Sequence, residues 1–295
     1  MWKTEVPWYL FTGGLAGASS VLAAGADLAG RPALARVARR VAAAGLGASP
    51  ALLISDLGQP RRFINMLRVF RPTSPMNMGA WLLTAYGGAA GATAVLDTAL
   101  PSAGVTRLAG LAAGAAGSML TTYTGVLVAD TAIPAWHDAH QELPFLFAAS
   151  AAASAGAAAA MFAPGGEVGP ARRLAIAGFA AEQVVASVMR RRLGPDVAAP
   201  YHMGAASRYH RAGEGLGAAG AGLLALGGRK TARRLGAALV VASAVCTRFS
   251  VYKAGFGSAE GTPESAGPVE PAATVPSFDD ARRRSQESLG STSSA

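Results

Sequence analysis

The sequence contains little charge. Charged residues make up 15% of its 295 residues, whereas a typical soluble domain carries about 25%. The mean hydropathy is +0.31, and long apolar stretches run between short polar ones. This composition excludes a disordered chain, argues against an ordinary soluble globule, and indicates a polytopic membrane protein.

Cysteine and histidine are also scarce. Cys246 is the single cysteine, which excludes an internal disulfide and a cysteine-ligated iron–sulfur or zinc site. All four histidines fall in predicted loops or at the ends of spans, which argues against a di-haem cytochrome b subunit. His137 and His140 are three residues apart, but no third metal ligand accompanies them. We therefore expect no haem or metal on this chain, and any redox centre on a partner or a bound small molecule.

Lysine is rare among the basic residues. Only three of the 26 are lysine, and the arginines cluster between apolar spans. That distribution is typical of a membrane protein rather than of a nucleic-acid-binding protein, although the net charge is +9. The bias toward Arg, Ala and Gly, which have G/C-rich codons, indicates a bacterium of high G+C content. For a multi-pass membrane protein of a bacterium we expect the inner (cytoplasmic) membrane. Lys3 is offset by Glu5 and the apolar residues continue, so we interpret the first span as a retained helix.

Eight stretches are candidates to cross the membrane, since a crossing helix needs about 20 apolar residues. They are residues 8–28, 36–56, 76–96, 108–128, 143–163, 172–192, 211–226 and 233–253. We therefore predict an all-α integral membrane protein, a bundle of about eight transmembrane helices. Several spans are rich in Ala and Gly, which favours close helix packing, although codon bias alone could give the same composition.

Eight crossings divide the loops between two sides of the membrane. Face A, as we name it, carries both termini and the loops after the second, fourth and sixth spans; face B carries the other loops. Arginine and lysine are spread almost evenly over the two faces, so the positive-inside rule gives no orientation. Residues 258–295 are rich in Ser, Gly, Pro and Glu, which predicts a disordered or partner-draped tail after a membrane domain at 1–257.

The loop after the second span is the most informative segment. It contains DLGQPRRF at residues 56–63 and PTSPMNMGAW at residues 72–81, and it joins prolines and glycines to arginines and aromatics. Such a rigid, basic loop could dock an acidic partner or anchor to lipid headgroups. The residues that we predict for docking are Gln59, Arg61, Arg62, Arg68 and Arg71.

These two segments closely resemble the NrfD/PsrC family, the membrane subunits of molybdopterin oxidoreductase complexes such as polysulfide reductase. Further stretches agree, at residues 123–127 (YTGVL), 133–136 (IPAW), 143–147 (LPFLF) and 248–255 (RFSVYKAG). The resemblance covers about residues 8–257. It implies an eight-helix bundle that binds quinone near the face that docks an iron–sulfur subunit.

A quinone site at face A is expected from the resemblance and from the residues. Tyr123 corresponds to the family's quinone-binding tyrosine, and a phenol can hydrogen-bond a quinone carbonyl and donate a proton; an interfacial belt tyrosine is the alternative. The family also uses an Asn and a His from the first helix, for which Tyr9 or Thr12 could substitute here. His137 could relay protons near neutral pH. The predicted quinone-binding residues are Tyr123, Asp56, Trp136, His137, Tyr9 and Thr12.

Glu182 stands near the middle of the sixth span. An ionised carboxylate there costs at least a few kcal/mol, so it must be protonated, paired or facing water. Arg248, in the eighth span, is the natural partner. We predict a proton path through Glu182, Arg248 and Asp56; a structural clamp between helices is the alternative.

The resemblance implies a function within a complex. It implies a quinone-reactive anchor that passes electrons between menaquinone, or a related quinone, and a docked ferredoxin-like iron–sulfur subunit, with a molybdopterin catalytic subunit beyond it. The chain would not be an enzyme by itself. Two alternatives stay open: a redox-coupled proton-conducting subunit of the same family, and a secondary transporter, for which no internal repeat is evident.

Overall fold

The structure, a computed structural model, describes residues 5–57, 65–100, 104–227 and 229–259. Within these ranges the chain forms helices and turns and no strand. Eight of the helices in this part are long: α1 Glu5–Leu28, α2 Pro32–Leu57, α3 Pro75–Ala99, α4 Gly104–Ala129, α5 Leu143–Phe162, α6 Gly169–His202, α7 Gly204–Leu226 and α8 Lys230–Ala259. A short helix, Pro134–His137, lies between α4 and α5. The predicted all-α class is confirmed; the predicted tail lies outside the described residues after Ala259.

Four of these helices are long and apolar enough to cross a membrane, namely α1, α4, α5 and α8. The other long helices in the described ranges carry more polar or small residues. Three arginines lie near the start of α2, α3 contains several glycines and threonines, and Glu182 lies within α6. The number of crossings beyond four therefore stays a prediction.

Consecutive long helices run in alternating directions. One buried cluster joins the start of α1 and α5 to the end of α4, α6 and α8, around Leu10, Val128, Leu143, Met189 and Val251. A second cluster joins the end of α1 and α5 to the start of α2 and α6, around Leu22, Leu34, Ala160 and Ala171. The first cluster marks face A and the second marks face B.

Glycines permit close helix contacts inside the bundle. A Cβ added at Gly17 in α1 would lie 2.5 Å from the carbonyl oxygen of Gly117 in α4. The outer surface carries large apolar side chains instead, including Val95, Leu108, Met119, Phe145 and Val184. Small residues at helix contacts and an apolar exterior are the pattern that lipid favours.

Helix α6 bends near face A. Gly194 has a φ of 72° and is followed by Pro195, which separates the helix into a long and a short segment. A positive φ with an extended ψ is essentially restricted to glycine. The predicted sixth span, residues 172–192, therefore ends just before a real break, and the short segment returns Tyr201 to donate to the Ala135 carbonyl at 3.0 Å.

Candidate functional site

A cavity lies at face A among α1, α2, α3 and α4. It contains about 780 Å³ of space not filled by protein atoms. The apolar part of its wall is formed by Leu10, Met66, Met76, Leu83, Leu120 and Leu127, and the hydroxyl-bearing part by Tyr9, Ser49, Tyr123 and Thr124. A mainly apolar cavity with a few convergent polar groups is the usual form of a small-molecule site.

Tyr123 is held in this cavity by the start of α3. Its hydroxyl donates a hydrogen bond to the carbonyl oxygen of Pro75, and its ring lies against Gly79 so closely that a Cβ there would overlap the phenol. Pro75 and Gly79 both belong to the PTSPMNMGAW segment. One role of that segment is therefore to hold the ring of Tyr123 in position.

Asn77 fastens the preceding loop to the same helix. Its side-chain oxygen accepts from the Arg71 amide at 2.7 Å, and its side-chain nitrogen donates to the carbonyls of Met66 at 2.5 Å and Val69 at 2.9 Å. Asn77 thus positions Met66 in the cavity wall, and with it the exposed Arg68 and Arg71. Sequence reasoning quoted Asn77 within the motif but gave it no role.

The predicted quinone residues separate into two groups. Tyr9 and Tyr123 line the same cavity. Thr12 does not line it, and its hydroxyl donates back to the Trp8 carbonyl at 3.0 Å. Trp136 lies elsewhere in the core, fully buried, with its indole N–H donating to the Val251 carbonyl at 2.7 Å. His137 is exposed at the end of the short helix.

Other predicted residues are only partly described. Asp56 lies in the last turn of α2, and its side chain is outside the description. Gln59, Arg61 and Arg62 lie outside the described residues altogether. Their roles therefore stay predictions.

A second, smaller cavity is lined by Glu182 and by other residues of α6, α7 and α8. Glu182 is 2% exposed; one carboxylate oxygen accepts from the Thr247 hydroxyl, and the other has no hydrogen-bond partner among the described residues. Arg248 is equally buried but donates to the Phe147 carbonyl at 2.9 Å, with its guanidinium 3.8 Å from the centre of the Phe147 ring. The structure describes both residues and places no direct ion pair between Glu182 and Arg248. Glu182 contacts Thr247 instead of the expected Arg248.

Three polar residues that sequence reasoning did not single out line the same cavity, namely Arg190, His210 and Glu214. His210 Nε2 lies 2.8 Å from an Arg190 nitrogen and 3.1 Å from a Glu214 oxygen. Because one ring nitrogen cannot accept from Arg190 and donate to Glu214 at once, its protonation decides which contact forms. The four-residue spacing of His210 and Glu214 would have placed them on one face of a helix. It was missed because the predicted seventh span begins at residue 211, after His210, whereas α7 begins at Gly204.

A comparison with known protein families places the chain in one of them. A family model described as Polysulphide reductase, NrfD, matches residues 1–165. The chain belongs to the NrfD family. The match includes α1 to α5 and all residues of the Tyr123 cavity, whereas the NrfD-like segment at 248–255 lies beyond it. A comparison with curated proteins found no match.

Membership of the NrfD family fixes the broad class of the protein. It is a multi-pass membrane protein of a family whose members are membrane subunits of oxidoreductase complexes. Within the described ranges, no group of three His, Cys, Asp or Glu side chains is placed to hold a metal ion.

Proposed function

We propose that this NrfD-family chain is the quinone-reactive anchor of a bacterial inner-membrane oxidoreductase, with eight membrane crossings. It exchanges electrons between menaquinone, or a related quinone, and a ferredoxin-like iron–sulfur subunit docked at face A, beyond which lies a molybdopterin subunit. The observation that carries the proposal is the convergence of Tyr9 and Tyr123 on one largely apolar cavity at face A.

The cavity suits a quinone in its chemistry. Its leucines and methionines provide the apolar surface that a substituted ring and isoprenoid tail need. A bound quinone supplies a carrier of two electrons and two protons. The Tyr123 ring is fixed by Gly79, so only its hydroxyl hydrogen has to turn from the Pro75 carbonyl toward a ligand oxygen.

The loop beside the cavity supports docking at face A. Met66 contributes to the cavity wall, while Arg68 and Arg71, held by the same Asn77 contacts, are exposed. An acidic surface on the iron–sulfur subunit would complement these arginines and approach the quinone site closely. We therefore propose that docking and quinone chemistry share this part of the molecule.

Tyr123→Phe tests the proposal, because it removes the hydroxyl and keeps the ring. In the intact complex we expect quinol-linked turnover to fall about a hundredfold, the lower end of the contribution of a positioned proton donor. Activity with a soluble dye that reacts directly with the catalytic subunits should not change.

Tyr86→Phe is the matched control. Tyr86 is fully buried, whereas Tyr123 is partly buried, and the Tyr86 hydroxyl lies 3.0 Å from the Ser20 hydroxyl, outside the cavity. Equal quinol-linked rates in the two variants would contradict the proposal.

Redox-coupled proton conduction is a second candidate function. It is favoured by the unpaired oxygen of Glu182, which lies in a cavity shared with His210 and Glu214. A buried carboxylate beside a titratable histidine is a reasonable proton relay. The NrfD match favours both of these functions over a secondary transporter.

Glu182→Gln separates conduction from quinone turnover. The amide keeps an acceptor for Thr247 but cannot carry a proton. In proteoliposomes, the conduction hypothesis predicts lost proton translocation with quinol turnover retained. Glu167→Gln, at a face-B carboxylate that accepts from the Leu34 amide at 2.8 Å, serves as the control; unchanged translocation in Glu182→Gln excludes the relay.

A further inference from the structure

A third cavity opens at face B, at the opposite end of the bundle from the Tyr123 cavity. It lies between the last turns of α1, the start of α2 and the first turns of α6, and contains about 820 Å³ of space. Its walls are apolar and include Val21, Leu22, Ala26, Leu34, Leu174 and Ala177. Val21 is 43% exposed, so this groove is open toward the apolar exterior of the bundle.

Several residues of the groove wall also belong to the buried core of the bundle. Leu22, Ala26 and Leu34 belong to a buried cluster with the alanines that end α5 and begin α6, including Ala160 and Ala171. These alanines are too small to extend into the groove. The walls of the groove are therefore anchored in the buried core at face B.

Two arginines, Arg31 and Arg173, line the groove together with these apolar residues. Among the residues that the structure describes, neither guanidinium has a hydrogen-bond or ion-pair partner. Two other arginines of face B are engaged: Arg39 lies 2.6 Å from both Asp27 and Asp97, and Arg172 donates to the Leu224 carbonyl. The carboxylate of Glu167 accepts from the Leu34 amide at 2.8 Å. Two guanidinium groups without a direct partner among the described residues thus line an apolar groove.

We propose that this groove binds an anionic phospholipid. Arg31 and Arg173 hold the phosphate, because a guanidinium matches phosphate geometry and is weakly hydrated, and the acyl chains lie along Val21 and Leu174. A free phosphate would leave the apolar walls unused. A zwitterionic headgroup would bring its own cation toward two arginines, so charge complementarity favours a lipid with net negative charge.

The test measures lipid retention by the purified complex. Native mass spectrometry after exchange into detergent with phosphatidylglycerol or phosphatidylcholine should show preferential retention of phosphatidylglycerol. In the double variant Arg31→Gln/Arg173→Gln we expect about thirtyfold weaker retention, since each basic residue near an anionic lipid contributes about 1 kcal/mol.

The matched control is Arg36→Gln/Arg107→Gln. Both of these arginines are exposed and absent from the groove lining, and the net charge changes by the same amount. Retention should stay at the wild-type level in the control. Equal loss in both variants, equal binding of the two lipids by the wild type, or a protein helix seated in the groove of the assembled complex would overturn the proposal. The lipid comparison on the wild type remains decisive if the double variant fails to fold.

Discussion

At the scale of single residues, the position of Tyr123 depends on two residues of another helix. Pro75 accepts its hydroxyl hydrogen, and Gly79 leaves the space that its ring occupies. The ring position is therefore set by packing, and the hydroxyl direction by one exchangeable hydrogen bond. A ligand oxygen in the cavity would compete with the Pro75 carbonyl for a single donor, so a rotation of the Tyr123 hydroxyl is enough to redirect its hydrogen bond.

Gly79→Ala should displace the Tyr123 ring. Its new Cβ would overlap the phenol, and overpacking of this kind costs about 1–3 kcal/mol of stability. We expect a lower melting temperature of the complex and a loss of quinol-linked turnover comparable with that of Tyr123→Phe.

The control for Gly79→Ala is Gly88→Ala in the same helix. A Cβ at Gly88 meets nothing within 4 Å, and alanine favours helix, so stability should be unchanged or slightly higher. If the two substitutions have the same effect on turnover, the ring of Tyr123 is not held as described.

At the scale of elements, the loop before α3 is fixed by side-chain contacts of the helix that follows it. The Asn77 side chain accepts one hydrogen bond from the loop backbone and donates two to it. These loop groups are not part of a helix hydrogen-bond pattern. The loop therefore moves with α3, which also seats Tyr123. This couples the exposed arginines of the loop to the wall of the cavity.

Asn77→Ala should release this loop. Removing a buried hydrogen-bonding side chain leaves its partners unsatisfied at a cost of about 1–3 kcal/mol, so amide hydrogen exchange over residues 66–71 should be at least tenfold faster. Thr84→Ala, which removes only a hydroxyl bonded back to the Ala80 carbonyl at 2.8 Å, should leave that exchange unchanged. Unaltered exchange in Asn77→Ala would show that other contacts hold the loop.

Several elements and contacts could be predicted from the sequence, and others could not. Apolar length predicted a span within each of the eight long helices of the described residues, but the contact of Tyr123 with Pro75 of α3 was not predicted. The partner of Glu182 was not predictable, because Thr247 and Arg248 are adjacent on α8 and about 100° apart around it, and the sequence does not give the rotation of the helix. Trp136 shows the same limit: an aromatic residue at face A could line a cavity or, as here, pack in the core.

At the scale of the whole molecule, the Tyr123 cavity and the Glu182 cavity lie in different parts of the bundle. The Tyr123 cavity is formed by α1 to α4, and the Glu182 cavity by α6 to α8 with Leu146 of α5. Under the proposed function, quinone chemistry belongs to the first part and proton conduction to the second. A quinone then has to reach the first cavity from the lipid side of face A.

Photolabelling of the intact complex with an azido-menaquinone analogue tests whether quinone binds in the Tyr123 cavity. We expect the label on peptides of α1 and α4 that contain Tyr9 and Tyr123, with competition by unmodified menaquinone and loss of the label in Gly79→Ala. Competable labelling confined to α6, α7 and α8, around Glu182, would show that quinone binds elsewhere.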